Sequence, residues 1–383
     1  MQSDIAAQII TQDHEELKPI VSQIVADEVL GIGDVTATKI GRSAGHATAG
    51  IFLVHGQAQT QAGERTWSAI VKALGEPENP SPGTDDDPFR ELSVYRSGVF
   101  ADLCGGMRAA RYYAIQPRDN LQLLWLEDLS AAPQPPWTAD QFVETARHLG
   151  QFNAHWSPQT LPTWDWLSQR GFRARFTGNS GFQAAFERVP AQQDQALMQT
   201  FALAPAVETL HQLWAQCDKL LIQAEVTTKG VCHLDCHPKN LFPMHDSNGT
   251  SYTIGIDWVK VGVANLGIDV GHLLASPMTW LEVTSEEAQT LRDPMFHAYL
   301  TGLADSGWAG NEDEVRLTYL TRLACEAIRN TALVSQAIER VEWLEVMERL
   351  IGQPIAAICA RYHENLTFYL DCIDEAGQVA ARI

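Results

Sequence analysis

A short polar segment followed by a hairpin-like pattern is the feature that most constrains the fold of this sequence. The segment covers residues 232–240, and its sequence is Cys-His-Leu-Asp-Cys-His-Pro-Lys-Asn. It is too polar for a buried strand, and Pro238 would interrupt a regular helix because proline lacks a backbone N–H. We therefore predict a loop here.

The residues after this loop predict a β-hairpin. A short apolar stretch begins at Leu241, residues 246–249 have the composition of a tight turn, and residues 252–256 have that of a returning strand. If the two strands pair, Asn240 and Asp257 lie at the same end of the hairpin.

Three polar side chains would then converge, namely Asp235, Asn240 and Asp257. A hard cation such as Mg²⁺ prefers carboxylate and amide oxygens and keeps part of its water shell, so Asn240 and Asp257 together with phosphate oxygens would suffice to hold it. Asp235, not bound to the metal, could accept the proton of an attacking hydroxyl. This arrangement indicates phosphoryl transfer.

Zinc binding is the alternative interpretation of the same loop. Five potential ligands lie close together, and they are Cys232, His233, Asp235, Cys236 and His237. Side chains so close in sequence cannot all face one ion, and no second paired cluster follows at the spacing of a structural zinc site. The aspartates could also be solvated turn carboxylates, although their position around one hairpin favours a shared role.

The loop and hairpin resemble the catalytic core of the aminoglycoside phosphotransferase and choline kinase superfamily, which are small-molecule kinases with a protein-kinase-like fold. The resemblance rests on the spacing of His233, Asp235 and Asn240 and on the aromatic residue after Asp257. It implies that Asp235 is the catalytic base and that Asn240 and Asp257 bind Mg²⁺. It also implies that ATP is the phosphoryl donor and that a hydroxyl of a small molecule is the acceptor.

The sequence upstream predicts a small antiparallel sheet. Strand-like segments cover residues 35–40, 48–54, 67–72, 111–115 and 121–126. Apolar spacing over residues 4–30 predicts a leading helix before them.

The resemblance places nucleotide-binding residues in this region. Lys72 ends the third predicted strand, where the kinase-like fold carries its phosphate-binding lysine. Glu91, in the predicted helix after an acidic, proline-rich linker at residues 76–88, is the expected ion-pair partner of Lys72. Without the resemblance, these residues would be interpreted as a solvated lysine at a strand end and a surface helix carboxylate.

Three further nucleotide contacts follow from the resemblance. Ser43 lies in a glycine-containing loop at residues 41–47 that departs from Gly-x-Gly-x-x-Gly, and it would cover the phosphates with the loop amides. Glu127 falls where the chain would cross between lobes, and the backbone of residues 126–128 would meet the adenine edge. His237, two residues after Asp235, would contact the transferring phosphate.

The rest of the sequence predicts helices. Thr138 can cap a helix over residues 139–155, and the pattern from residue 285 onward is almost wholly helical. Asp269 resembles the aspartate that starts a helix below the catalytic loop and holds that loop by hydrogen bonds, and a simple helix cap is compatible with this role. The acceptor pocket would be built by residues 156–228 and the C-terminal helices, with Glu326 and Asp371 as candidates.

These patterns predict an α+β, protein-kinase-like fold of two lobes. Residues 1–126 would form a nucleotide-binding lobe with a small antiparallel β-sheet and one main helix, and residues 127–383 a large, mostly helical catalytic and acceptor-binding lobe. The expected activity is transfer of the γ-phosphoryl group of ATP to an aminoglycoside-, choline- or sugar-like acceptor. A catalytically silent, nucleotide-binding pseudokinase is the alternative.

The net charge and the cysteine content limit the kinds of binding partner and the cellular location that we expect. The 383 residues carry a formal net charge of −20, which disfavours nonspecific binding to nucleic acid or anionic membranes. An acidic surface would favour cationic substrates, but it also serves solubility. The seven scattered cysteines fit reduced thiols in a cytosol, and no stretch resembles a signal peptide or a membrane span, so we expect a cytoplasmic protein.

Overall fold

The computed structural model describes residue 10 and residues 13–41, 48–75, 87, 89–156, 161–177, 180–192, 194–201 and 204–383. The described chain forms two compact units. The first contains the described residues of Met1–Leu103, Arg108–Ala132 and Ile254–Val259, and the second those of Cys104–Met107, Pro133–Thr253 and Lys260–Ile383. The assignment of residues 1–126 and 127–383 to two functional domains stays a prediction.

A five-stranded antiparallel sheet dominates the first unit, as the sequence predicts. In chain order its strands are β1 (Val29–Gly41), β2 (Thr48–Thr60), β3 (Gly63–Gly75), β5 (Tyr112–Arg118) and β6 (Leu121–Leu126). Their order across the sheet is β1-β2-β3-β6-β5. The first three strands are longer than predicted, with Ile51 paired to Lys72 and Lys72 paired to Leu124.

The leading helix ends earlier than predicted. The described helix α1 spans His14–Val25, and Asp13 caps it by accepting the backbone N–H groups of Glu15 and Glu16. It ends because Ala26 adopts the left-handed conformation, with a φ of 53°. Leu30, predicted to be helical, lies in β1, so the helical prediction is wrong at that end.

One face of the sheet and α1 share a hydrophobic core. Leu17 and Val21 of α1 pack in one buried cluster with Phe52, Val71 and Trp125 of the sheet. Alternating burial along β2 and β3 produces this face, because successive side chains of a strand point to opposite sides. A short helix, α2 (Arg90–Ser97), also belongs to this unit.

The remaining strands form two small sheets. In chain order they are β4 (Met107–Ala109), β7 (Lys229–Cys232), β8 (Leu241–His245), β9 (Ser251–Gly255) and β10 (Gly262–Asn265). One sheet has the order β4-β9-β8, and β7 pairs with β10 in the other. The predicted hairpin is β8–β9, and Asp246 closes its turn by accepting the N–H groups of Asn248 and Thr250.

The second unit is mostly helical, as predicted. Its α-helices are α3 (Ala139–His155), α4 (Phe172–Thr177), α5 (Ser180–Glu187), α6 (Ala196–Phe201), α7 (Ala204–Glu225), α8 (Ile268–Thr279), α9 (Ser285–Asp305), α10 (Glu312–Glu339), α11 (Val341–Ile351) and α12 (Ile355–Ala380). Short 3₁₀ turns cover Val189–Gln192 and Trp258–Lys260. Thr138 caps α3, as its sequence predicts, and the structure shows that it does so in a capping box with Gln141.

Two observations bear on the chain's environment. All seven cysteines are buried thiols that form no disulfide bond. None of the described helices combines the length and the apolarity that a bilayer crossing requires.

Candidate active site

A buried lysine paired with two carboxylates is the main polar feature of the first unit. The Nζ of Lys72, on β3, lies 2.6 Å from Oε2 of Glu91 and 2.7 Å from Oδ1 of Asp257. Glu91 lies on α2 and Asp257 follows β9, so the three residues come from distant parts of the chain. The predicted pairing of Lys72 with Glu91 is confirmed.

The two carboxylates of this group stabilise the charge of Lys72. Burial alone would lower the pKa of Lys72, but the charges of Glu91 and Asp257 outweigh it and raise that pKa above its ordinary value, so the lysine stays charged. One positive charge then faces two carboxylates. Asp257 keeps 36% of its side chain exposed, whereas Glu91 keeps 2%. Asp257 can therefore offer its second oxygen to a cation, while Glu91 serves Lys72.

The segment around Asp257 is held in an uncommon conformation. Asp257 has a φ of 59°, in the left-handed region that residues other than glycine seldom adopt. Its neighbour Trp258 is fully buried, contacts Phe100 in a tilted arrangement with 4.8 Å between ring centroids, and donates its ring N–H to the carbonyl of Gly255. Arg90 donates to the carbonyl of Val259 at 2.6 Å. Backbone strain of this kind is found at functional sites when the surroundings hold it in place.

Of two further predicted nucleotide contacts, Glu127 lies within the described residues and Ser43 does not. The carboxylate of Glu127 binds the guanidinium of Arg108 at 2.9 Å and accepts the backbone N–H of Arg111 at 2.9 Å. Its own backbone N–H donates to the carbonyl of Arg111. A nucleotide contact through the backbone of residues 126–128 stays a prediction. Ser43 lies outside the described residues.

In the second unit, the predicted catalytic loop joins β7 to β8 and is fixed by Asp269. The buried carboxylate of Asp269, in the first turn of α8, accepts the backbone N–H groups of His233 at 2.8 Å and Leu234 at 2.9 Å. Asn153 of α3 donates to Asp269 at 3.1 Å and to the carbonyl of Val231 at 2.9 Å. The predicted role of Asp269 in holding the loop is confirmed, and the helix cap itself is Gly267.

Asp235 lies in this loop among polar and basic groups. Its Oδ1 is 2.8 Å from Nζ of Lys260 and 4.0 Å from Nε2 of His272. Nδ2 of Asn240 donates to the backbone carbonyl of Asp235 at 3.1 Å and to its Oδ2 at 3.3 Å. The Asp235 side chain is 13% exposed. The loop therefore brings Asp235 and Asn240 into direct contact.

The electrostatics of Asp235 suit a proton acceptor. Burial raises the pKa of this carboxyl, but the nearby charges of Lys260 and His237 outweigh burial and hold the pKa below its usual value. Asp235 is consequently an ionised carboxylate at neutral pH. His272 behaves differently, because burial and then the charges of Arg322 and Lys260 keep its pKa well below the ordinary value and its ring neutral.

The predicted metal donors have chemistry that fits Mg²⁺. Asn240 makes both of its bonds to Asp235 through Nδ2, which leaves Oδ1 as the oxygen to bind a metal. Asp257 binds Lys72 through Oδ1, which leaves Oδ2. Carboxylate and amide oxygens are donor types that Mg²⁺ prefers, so each residue has a suitable donor, and their binding of one shared ion stays a prediction.

The same loop does not have the arrangement of a zinc site. Within the described residues, no group of three or more His, Cys, Asp or Glu side chains could hold a metal ion together. Burial, followed by the charge of Asp269, raises the pKa of the Cys232 and Cys236 thiols well above the usual value. Zinc binds the thiolate, so these cysteines are poor ligands.

Lys260 and His272 are site residues that the sequence reasoning missed. Lys260 follows Asp257 by three residues, and His272 lies in α8 three residues after Asp269. Neither position belongs to a pattern with a known chemical meaning. The signal that could have found Lys260 is its closeness in sequence to Asp257, which alone does not distinguish it from a solvated lysine.

Comparison with solved structures shows the fold. An aminoglycoside phosphotransferase from Alicyclobacillus acidocaldarius is 14% identical, covers 93% of this chain and 96% of its own, and has a TM-score of 0.53. A choline kinase from Cryptosporidium parvum is 12% identical, covers 98% of this chain and 96% of its own, and has a TM-score of 0.52. The predicted α+β, protein-kinase-like fold is thereby confirmed.

Comparison of the sequence shows the family. No curated protein matches the chain. The model of the phosphotransferase enzyme family, APH, matches residues 100–311, which is more than half of the 383 residues. The matched span contains Asp235, Asn240 and Asp257, and Lys72 and Glu91 precede it. The chain therefore belongs to the phosphotransferase enzyme family.

Proposed function

We propose that this chain is a Mg²⁺- and ATP-dependent kinase that transfers the γ-phosphoryl group to a hydroxyl of a small molecule. The observation that carries the proposal is the group of Lys72, Glu91 and Asp257, in which one buried, charged lysine contacts two carboxylates at 2.6 and 2.7 Å. A buried lysine oriented by a helix-borne glutamate is suited to bind phosphate oxygens. Membership of a phosphotransferase family agrees with this use.

The nucleotide would be held by residues of separate elements. Lys72 would donate to phosphate oxygens, with Glu91 keeping its Nζ in position. Asp257 and Asn240 would bind Mg²⁺, which when bound neutralises phosphate charge during transfer. Ser43, the backbone near Glu127 and His237 are proposed as further nucleotide contacts, and unchanged turnover after His237→Ala would exclude that histidine.

Asp235 would act on the acceptor. The acceptor oxygen attacks the γ-phosphorus while its proton passes to the Asp235 carboxylate. The bond between the γ-phosphorus and the bridging oxygen breaks, and its electron pair leaves with ADP. The proton on Asp235 then returns to solvent. Lys260, 2.8 Å from Oδ1, would act as a positioning residue that orients the carboxylate and keeps it ionised.

A pseudokinase is the second candidate, and the residues disfavour it. Such proteins usually lack the lysine or one of the metal-binding positions, whereas Lys72, Asp235, Asn240 and Asp257 are all present here. The contacts of Lys72 with Glu91 and of Asn240 with Asp235 also keep these groups oriented. We further propose a cytoplasmic location, where ATP is available and cysteine thiols stay reduced.

Nucleotide binding and turnover separate these candidates. We expect ATP with Mg²⁺ to raise the melting temperature of the purified protein, and EDTA to remove most of this effect. We also expect a hydroxyl compound in a library to yield ADP and a phosphorylated product in equal amounts. Binding without any transfer would identify a pseudokinase. The absence of both, in a folded protein, would contradict the proposed function.

A further inference from the structure

The surroundings of Asp235 are basic, in contrast to the chain's net charge of −20. Lys260 lies 2.8 Å from its Oδ1, and His272 lies 4.0 Å away. Arg322 and Arg329 of α10 extend this group, which we call the basic cluster and define as Lys260, His272, Arg322 and Arg329. All of its members belong to the second unit.

Packing places Arg322 beside His272. Gly271, the residue before His272, has so little room that a Cβ there would lie 2.8 Å from Cβ of Arg322. The pKa of His272 is lowered first by burial, then by the charge of Arg322, and also by those of Lys260 and Arg329. Burial lowers the pKa of Arg329, whereas the charge of Glu326 and, to a smaller extent, those of Tyr362 and Asp235 raise it. Because Gly271 packs on Arg322, and Arg322 and Arg329 both contact Glu326, the basic cluster is continuous from His272 to Arg329.

The cluster has fewer carboxylates than cations. Glu326 is 1% exposed, and its Oε1 lies 2.7 Å from Nη2 of Arg322 and 3.5 Å from Nη1 of Arg329. Its Oε2 accepts the hydroxyl of Thr279 at 2.7 Å. Two arginines thus share one carboxylate, and Arg322 makes the closer contact with it.

A charge count over these residues leaves a positive excess. Lys260, Arg322 and Arg329 supply three positive charges, against two negative charges from Asp235 and Glu326. When Asp235 accepts a proton, the excess grows by one. The other predicted acceptor-pocket candidate, Asp371, is exposed on α12.

We propose, on the basis of the proposed function, that the acceptor carries an oxyanion, a carboxylate or a phosphate, in addition to its hydroxyl, and that Arg329 and Lys260 bind it. Their side chains are 27% and 46% exposed, so a ligand can reach them, while Arg322 is 10% exposed and serves the cluster from within. Guanidinium groups bind carboxylate and phosphate through two parallel hydrogen bonds. An amine-bearing acceptor would instead meet like charges.

The inference is tested by comparing acceptors of equal size and different charge. The enzyme is assayed with Mg²⁺ and ATP on hydroxy acids, phosphate-bearing alcohols, neutral polyols and quaternary or primary amino alcohols. We expect kcat/KM for one of the two anionic sets to exceed that for the neutral and cationic sets by about tenfold or more, as hydrogen bonds to charged groups allow. The two anionic sets distinguish carboxylate from phosphate.

Substitutions of single arginines test whether Arg329 binds the anionic acceptor. Arg329→Gln should raise the KM for the anionic acceptor by about tenfold or more and leave the KM for ATP unchanged, and Arg329→Lys should retain part of the affinity. Arg382→Gln is the matched control, because Arg382 is an exposed arginine that pairs with Asp313 at 2.8 Å in the same unit. If Arg329→Gln does not fold, the wild-type enzyme still gives an answer, since added salt should raise the KM for the anionic acceptor but not for a neutral one.

The outcomes separate the inference from the function on which it rests. A preference for amino alcohols, or an unchanged acceptor KM in Arg329→Gln together with salt-independent acceptor binding, would overturn the inference and leave the kinase assignment intact. Absence of ATP turnover with every acceptor and of ATP binding would overturn both.

Discussion

Oδ1 of Asp269 accepts the backbone N–H of Leu234 at 2.9 Å, and Leu234 has a φ of 68°. A leucine in the left-handed region is uncommon, and this bond to a buried carboxylate stabilises the conformation. Because Leu234 directly precedes Asp235, the conformation also sets the direction of the proposed catalytic carboxylate. Asp269 is thus a positioning residue for Asp235.

Asp269→Asn should damage both the loop and the proposed catalysis. Asp269 accepts three N–H donors, from His233, Leu234 and Asn153, whereas asparagine has one acceptor oxygen and would turn an NH₂ group toward a donor. We expect a loss of unfolding free energy of roughly 2–3 kcal/mol, measured by urea denaturation, and a fall in kcat of about tenfold or more.

Asp246→Asn is the matched control for this change. Asp246 also accepts two backbone N–H groups, at 2.8 and 2.9 Å, but in an exposed turn of the hairpin. Its substitution should cost less stability and leave kcat near that of the wild type. Equal effects of the two substitutions would contradict the role assigned to Asp269.

Substitutions at Lys72 and Glu91 distinguish effects on stability from effects on phosphoryl transfer. Lys72→Met leaves the carboxylate of Glu91 buried without its cation, so we expect a loss of roughly 3 kcal/mol of stability. In Lys72→Met with Glu91→Gln, part of this stability should return because the uncompensated charge is removed, while phosphoryl transfer stays at least about 10²-fold reduced. Thermal unfolding and ADP production measure the two effects.

The surface pair of Lys18 and Glu15, 2.8 Å apart on α1, controls for the loss of any lysine–glutamate pair. Lys18→Met should change neither stability nor activity appreciably, because exposed pairs contribute little. Recovery of activity in the double variant at Lys72 and Glu91 would show that the lysine serves the fold alone.

Lys260 should affect kcat without affecting the fold. Lys260→Met removes the cation that lies 2.8 Å from Asp235, and its own side chain is 46% exposed, so stability should change little. We expect kcat to fall by roughly tenfold, and Lys260→Arg to retain more of it because the charge remains. Lys229→Met, at a lysine paired with Glu225, is the control. A Lys260→Met enzyme with wild-type kcat would exclude the positioning role.

His148 should make stability depend on pH. Burial, followed by the charges of Arg147 and His245, lowers the pKa of His148 from 6.5 to about 4. Between these pH values His148 binds a proton in the unfolded chain but not in the folded chain. The contribution of neutral His148 to the free energy of unfolding is therefore fully present above about pH 6.5 and is lost as the pH is lowered toward 4. The loss amounts to roughly 3 kcal/mol, at 1.36 kcal/mol for each pKa unit.

His148→Gln should reduce this pH dependence while keeping hydrogen bonds to the hydroxyls of Thr253 and Ser251, which lie 3.0 and 3.3 Å from the ring nitrogens. Urea unfolding at several pH values between 4 and 8 measures the effect. His297→Gln, at an exposed position of α9, controls for the loss of a histidine. A variant whose stability falls with pH as steeply as the wild type would contradict the assignment to His148.

Local patterns were sufficient to predict the parts of the site that lie together in sequence. The loop that contains Asp235 and Asn240 and the hairpin β8–β9 follow from a proline, a turn composition and flanking apolar residues, all of which act over a few positions. The pairing of Lys72 with Glu91 followed only from the resemblance. Nothing in the residues near either position specifies a contact 19 residues apart.

Long-range contacts account for what the sequence did not predict. Lys260 and Arg329 acquire their meaning from three-dimensional packing around Asp235, and a single sequence carries no pattern for it. The end of α1 was misplaced because Leu30 suits both a helix and a strand, and the left-handed Ala26 decides between them. The overall acidity suggested cationic substrates, whereas the residues around Asp235 are basic, so net charge did not describe the site.

In the proposed reaction, Asp235 receives the proton of the acceptor hydroxyl while the γ-phosphoryl group of ATP is transferred to the oxygen of that hydroxyl. The most direct test measures ATP binding and phosphoryl transfer in the same preparations of wild-type and Asp235→Asn protein. We predict that the variant binds ATP with Mg²⁺ as the wild type does but transfers the phosphoryl group at least about 10²-fold more slowly. Equal transfer rates in the two proteins would contradict the account.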